Sequence, residues 1–293
     1  MRRSIQKVGH YIGAHENCDC HGVYERSGPI PLQVLSGYDP TRTTTLRNQF
    51  ASEMGRRFAK LRGLIRQAIV DQDVFGLKRV GLYAVGVPGH RAFDFPTSAQ
   101  KLAAFEDWLQ EQVDAGIFEM SIGSQIGSGA NYQWTDRYIT TAYQKGVVRA
   151  RNEMRAAGMD VPAFETDGEL QAAFNQPFHL DRVGLISTRT YSDLRGITTA
   201  MDTQISRVLG QGIADGDGPM KLAQLLTKTI SGPVGDLSLT DTLGRFIPAE
   251  RRAKILARTE IIRAHHAATM QEYKNWGAEG VKVRAELTTA GDG

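Results

Sequence analysis

Between Ile247 and Gly277 the chain reads IPAERRAKILARTEIIRAHHAATMQEYKNWG, and Ile255, Thr259, Ile262, His266, Thr269, Tyr273 and Trp276 recur at alternating steps of four and three. Side chains at that spacing share one face of an α-helix, so the stretch predicts one long amphipathic helix with this face inward. Pro248 suits the first helical turn and Gly277 the residue just past the end. Arg251, Arg252, Lys254, Arg258 and Arg263 fall mostly on the other sides, and Glu250 supports Lys254 four residues on.

The same period predicts further helices. Leu46, Phe50, Met54, Leu61, Ile65 and Ile69 mark one from Thr45 to about Phe75; Leu102, Phe105, Leu109 and Val113 mark a second, opened by Pro96-Thr97-Ser98 and closed at Gly116. A third runs from Trp134 to Gly158 with Ile139, Tyr143, Val147, Ala150 and Met154 inward. Leu180 to Leu209 forms a fourth that Gly196 bends or divides, and Pro219 begins another through Leu222, Leu226 and Ile230. Residues 77–95 change character: a short apolar run broken by Gly86, Pro88 and Gly89 predicts a hairpin. Val281 to Leu287 alternates as a short strand does, and residues 162–177 read as a loop with one helical turn. Residues 1–40 carry several breakers and little periodicity, which predicts an extended arm. The fold class expected is α+β, mainly α-helical: long helices, a few short strands and an extended N-terminal arm. In chain order this gives an arm over 1–44, a helical region with a hairpin over 45–178, and a C-terminal module over 179–293.

Composition agrees with a folded protein: 41% of residues are hydrophobic and 23% charged. The longest nearly uncharged apolar run, Val80 to Val87, is too short to cross a bilayer, so no membrane partner is expected. The N-terminus lacks an apolar core of signal-peptide length, and the two cysteines form a Cys-x-Cys pair that builds no disulfide framework. Synthesis in a reducing cytoplasm is the expectation. The net charge of +3 is unevenly spread: residues 1–66 hold 11 Lys and Arg against 5 Asp and Glu, residues 67–180 hold 9 against 14.

Charge and residue type then nominate chemistry. Arg47, Arg56, Arg57, Lys60, Arg62 and Arg66 lie with a single acid, Glu53, in one predicted helix, so they are the candidates for contact with nucleic acid. The alternative is a solvated face, or one paired with the acidic middle of the chain. Cys18, Cys20 and His21 have zinc-ligand types, but Cys-x-Cys is tighter than the usual spacing and a second ligand pair is missing, so no metal and no cofactor is expected. The Gly-rich piece from Ile122 to Gly129 has no Gly-Lys-Ser/Thr and reads as a connector. In the long C-terminal helix His265 and His266 are adjacent, about 100 degrees apart, and do not converge as His residues four apart do. Arg258, Glu260 and Arg263 are therefore expected to form a structural ion-pair network, with Ile262, Tyr273 and Trp276 in the helix core. No enzymatic role follows from these residues.

The segment from DRVGLISTRTYSDLRGITTAMDTQISRVLG through ILARTEIIRAHHAATMQEYKNWGAEGV to ELTTAGD resembles the tailed-phage head morphogenesis proteins of the Mu F-like minor head protein family. The similarity runs over roughly Leu180 to Asp292, and Ala257-Arg258-Thr259-Glu260 with Thr289-Ala290-x-Asp292 is its most specific part. Leu287 stands where family members usually carry tryptophan, and no metal or enzymatic role of the family's cysteine-containing C-terminal segment is carried over. The resemblance implies a non-enzymatic minor capsid component, made in the host cytoplasm and housed in the virion near the portal. Its implied partners are the portal protein, the major capsid or scaffolding protein, and packaged DNA. The competing expectations are an internal DNA-binding protein ejected with the genome, a metal-dependent hydrolase built from the histidines, and a scaffold-like assembly factor that is absent from mature particles.

Overall fold

A computed structural model describes residues 8–10, 39, 41–77, 98–122, 131–231, 247–281 and 285–287. Among them stand seven α-helices: α1 Thr44–Arg66, α2 Ser98–Gly116, α3 Asp136–Ala156, α4 Asp167–Phe174, α5 Pro177–Ala214, α6 Pro219–Ser231 and α7 Ala249–Ala278. The protein is mainly α-helical. Extended backbone in the described residues is limited to three-residue segments, such as Val8–His10 in parallel register with Ala285–Leu287, too short to form a sheet layer. The hairpin expected over 77–95 falls almost entirely outside the described residues, as do most of the arm and the Gly-rich connector.

The helices start and stop close to where their period and punctuation place them. Gly196 does not divide α5, which runs unbroken for 38 residues. The helix expected to reach Phe75 ends its α-helical part at Arg66 and continues as a π-helical turn, Gln67–Asp71, with Ala68 and Ile69 buried. At the start of α1, the Asp39 carboxylate accepts from the backbone N–H groups of Thr43 and Thr44, each at 2.7 Å, and from the Thr41 and Thr44 hydroxyls. It thereby satisfies donors that a helix N-terminus leaves open.

Two compact units result, and neither is continuous in sequence. The first gathers Met1–Phe50, Ser121–Thr190 and Ala257–Gly293; the second gathers Ala51–Met120 and Tyr191–Leu256. The boundaries read in chain order, at 44/45 and 178/179, therefore differ from those of the compact units. In the first, Phe50 stacks on Tyr138 at 4.5 Å and meets Trp134 edge-on, while Ala150, Met154, Val161 and Tyr273 close a further cluster. In the second, Phe105 lies against Phe75 and Trp108, and Phe58, Leu61, Leu109, Leu222 and Leu226 are buried.

α7 is rotated relative to the expected face. Thr269 and Tyr273 are buried, but Ile255, Thr259, Ile262, His266 and Trp276 are only partly so. The side fully buried carries Ala253, Ala257, Ile261, Ala264 and Ala268. These positions also recur at helical steps; what selects them is size, because alanine lets a neighbouring backbone approach. In the first unit that neighbour is α3: an ideal Cβ on Gly146 would lie 2.2 Å from the His265 carbonyl oxygen and 2.7 Å from the Ala268 Cβ. The Thr269 hydroxyl sits at this crossing, 3.2 Å from the Gly146 carbonyl and 3.0 Å from that of His265.

Candidate functional site

The first unit holds two buried carboxylates on α7, each facing a different set of partners. Glu260, 1% exposed, accepts from Arg189 of α5 and from Arg263, both at 2.6 Å. Arg258 is exposed and takes no part in this cluster, which corrects the expectation that it pairs with Glu260. The reason is angular: residues two apart on a helix point about 200 degrees apart, whereas Arg263, three on from Glu260, shares its face. The guanidiniums are roughly half-exposed, so water screens each pair, while the buried carboxylate has the Thr190 hydroxyl, 3.5 Å from Oε2, as its further donor among the described residues.

Glu272, also 1% exposed, forms the second cluster. Its Oε1 accepts from Arg151 Nε at 2.6 Å and from Trp276 Nε1 at 2.9 Å, while Oε2 lies 3.9 Å from His179 Nε2. The other imidazole nitrogen, Nδ1, is 3.0 Å from the Tyr143 hydroxyl. Arg151 also packs its guanidinium over the rings of Phe164, at 3.9 Å, and Trp276, at 5.4 Å. Burial lowers the pKa of His179, and Arg151 and Arg182 add to this against the opposing pull of Glu272. The ring is thus neutral at neutral pH, and its contact with Glu272 is that of a dipole with a charge. Burial likewise pushes the Tyr143 phenol up to about 12, the opposite of what an activated nucleophile requires. The Tyr143, His179, Glu272 and Arg151 row is suited to holding α3, α5 and α7 in register within this unit.

None of these four residues stood out in the sequence as a site. The available signal was a carboxylate, Glu272, lying one step from Thr269, Tyr273 and Trp276 on an otherwise uncharged helix face. Tyr273 is buried and donates its hydroxyl to Glu153, and Ile262 is partly buried outside both clusters.

His265 lies on the closely packed side of α7, 2% exposed, and its buried Nε2 has no hydrogen-bond partner among the described residues. Burial, then Arg149, His266 and Lys145, push its pKa down to about 3, with Asp39 opposing. The folded state holds a neutral ring and the unfolded chain takes up a proton near 6.5. Stability is therefore complete above about pH 6.5 and falls as pH drops towards 3, by up to about 1.4 kcal/mol per unit. His179 contributes with the same sign. Burial pushes Asp202 up to about 6, with Asp114 and Glu106 adding to it, and raises Asp136, so these carboxyls act with the opposite sign as pH falls. In urea denaturation between pH 7.5 and 4.5, His265→Leu should therefore lose less stability on acidification than the unsubstituted protein; parallel profiles of the two would remove His265 from the account.

The basic residues nominated for nucleic acid are largely committed within their own units. Arg47 pairs with Asp39 at 3.0 Å. In the second unit Arg56 and Arg57 both pair with Glu53, Arg57 reaches Glu119 at 3.1 Å and donates to the Gly116 carbonyl, and Arg62 pairs with Glu250 at 2.8 Å. Lys60 and Arg66 remain exposed. Three of the four acids that neutralise α1 among the described residues, Asp39, Glu119 and Glu250, lie outside that helix, and a count of charges within one helix does not register them. Among the described residues no group of three or more His, Cys, Asp or Glu side chains is placed to hold a metal ion, and no helix is long and apolar enough to cross a membrane. Cys18, Cys20 and His21 lie outside the described residues.

Comparison with protein-family models, with curated proteins and with solved structures finds no match for this chain.

Proposed function

We propose that this chain is a structural, non-enzymatic minor head protein of a tailed bacteriophage, acting in head morphogenesis near the portal inside the capsid. The reading rests on the resemblance over Leu180 to Asp292 and draws support from one observation. Glu260, the acid of the Ala-Arg-Thr-Glu block, is the buried carboxylate that ties α7 to Arg189 of α5. A motif whose most specific acid is consumed in joining helices suits a component valued for its shape. Its partners in this reading are the portal protein and the major capsid or scaffolding protein, with packaged DNA as a further contact.

Mass spectrometry of purified heads and of emptied particles tests the proposal. Presence in both is the expected result; presence in heads alone favours an internal protein ejected with the genome, and absence from both ends the structural-component reading. Glu260→Ala should lower head yield or the stability of the isolated chain without removing any turnover. Detection of an activity that this variant loses would reverse the assignment.

A further inference from the structure

A cleft of about 500 Å³ lies in the first unit, where the turn before α1 meets one face of α3. That volume is within the range of small-molecule sites, roughly 300 to 1,000 Å³. Its lining includes three cations, Arg42, Lys145 and Arg149, against one acid, Glu153. The acid is spoken for: Glu153 accepts from Arg149 at 2.6 Å and from the Tyr273 hydroxyl. Asp39, at the base of the same turn, is likewise saturated by Thr41, Thr43, Thr44 and Arg47. Arg42 and Lys145 are exposed and have no acidic partner among the described residues, and the amides of Gln144 and Asn152 sit beside them uncommitted. The cleft thus offers donors and positive charge, with its carboxylates already occupied.

Two further features give the cleft direction. The charged groups come from Arg42 and from Lys145 and Arg149, one turn apart on α3, whereas Val148, Ala156 and Leu170 supply an apolar wall. Val148 is one turn on from Lys145, and Ala156 eight residues beyond Val148, so the apolar wall begins about 5 Å from the cation and runs about 12 Å along the helix. A ligand that uses both ends therefore needs an anionic head and an apolar body of that length. Arg42 is also held at φ 53°, a left-handed conformation that a non-glycine residue rarely adopts, by a turn in which its N–H donates to the Asp39 carbonyl at 3.1 Å. Strain of that kind at a cleft-lining cation is retained where the surrounding structure enforces it, and it clusters at ligand sites.

We infer that this cleft binds a phosphate-bearing ligand of nucleotide size, its phosphate held by Arg42 and Lys145 and its flat body laid against Val148, Ala156 and Leu170. The same nucleoside phosphate group can arrive free or as the phosphorylated end of a nucleic acid strand. The site is independent of the head-protein reading and involves none of the α1 residues from Arg56 to Arg66.

The test is calorimetric titration of the full chain with AMP, inorganic phosphate, a 5′-phosphorylated oligonucleotide and a short poly-glutamate peptide. AMP should bind saturably, at least about tenfold more tightly than inorganic phosphate, because phosphate cannot use the apolar wall. Lys145→Ala and Arg42→Gly should each weaken AMP about five- to tenfold, the loss expected for one charged hydrogen bond at a partly exposed site. Arg42→Gly relieves the left-handed strain, so its Tm should hold or rise while binding falls; this separates loss of a ligand contact from loss of folding. Tighter binding of the oligonucleotide than of AMP assigns the source to nucleic acid, weaker binding to free nucleotide, and both support the site. No saturable binding of AMP at millimolar concentration, equal affinity for AMP and phosphate, unchanged affinity in both variants, or poly-glutamate binding as tightly as AMP would each overturn it.

Discussion

Gly146→Ala should destabilise the protein by about 3 kcal/mol or more, the upper end of what overpacking costs. Two effects oppose one another at this position. Alanine is the better helix former, by about 1 kcal/mol in a helix interior, and on propensity alone the substitution would help. Against this, the added Cβ would meet the His265 carbonyl oxygen at 2.2 Å and the Ala268 Cβ at 2.7 Å. The first of these is backbone and cannot rotate away, so α3 and α7 must separate. Separation would also break the Thr269 hydroxyl's contact with the Gly146 carbonyl and loosen the alanine seam. Gly184→Ala, in α5 with nothing within 4 Å of the new Cβ, is the matched control and should stabilise by up to about 1 kcal/mol. Denaturant midpoints of the two variants should move in opposite directions; two shifts of the same sign would show that the α3–α7 crossing is not closely packed.

Arg151→Ala should cost about 3 to 5 kcal/mol, because it strands the Glu272 carboxylate in a buried position with the Trp276 indole N–H as its remaining close donor. Most of that loss is the penalty of an uncompensated charge and not the net worth of the pair, so it should be recoverable. Glu272→Gln placed on top of Arg151→Ala replaces the charge with a neutral amide and should restore a large part of the stability, giving a coupling energy well above that of a surface pair. The guanidinium also covers the Phe164 and Trp276 rings, and that packing is not restored, so recovery should be incomplete. A loss below about 1 kcal/mol in the single variant would mean that water reaches Glu272 and that the Tyr143, His179, Glu272 and Arg151 row is not a structural unit.

Both predictions concern positions that sequence patterning treats as ordinary. Gly146 is one glycine in a helix otherwise marked by Ile139, Tyr143, Val147, Ala150 and Met154, and Arg151 falls on what the period assigns to the outward face. Glu260 is different: its place in the Ala-Arg-Thr-Glu block drew notice, and the structure gives it Arg189 and Arg263 as partners while leaving Arg258 in solvent. The difference between Arg258 and Arg263 is one of helical angle, and that much is computable from spacing alone. That Arg189 is the second partner is not, because it comes from another helix, 71 residues away.

What the order of residues determined by itself is the set of helices. All but α4 are legible because apolar period, a proline or cap near the start and glycine near several of the ends act over a few residues and need no knowledge of the rest of the chain; residues 162–177 read as a loop with one helical turn, whereas Asp167–Phe174 is an eight-residue helix capped by Thr166. The three-dimensional arrangement decided which side of α7 is most deeply buried, since the tightest contacts fall to alanines and a glycine whose small size, not hydrophobicity, admits a neighbouring backbone. It also decided which acid meets which base: Glu272 finds Arg151 across 121 residues, and the arginines of α1 find Asp39, Glu119 and Glu250 outside their own helix. Local periodicity carries no information about such distances, because a charged side chain reads the same in sequence whether it faces water or a carboxylate brought to it by the fold.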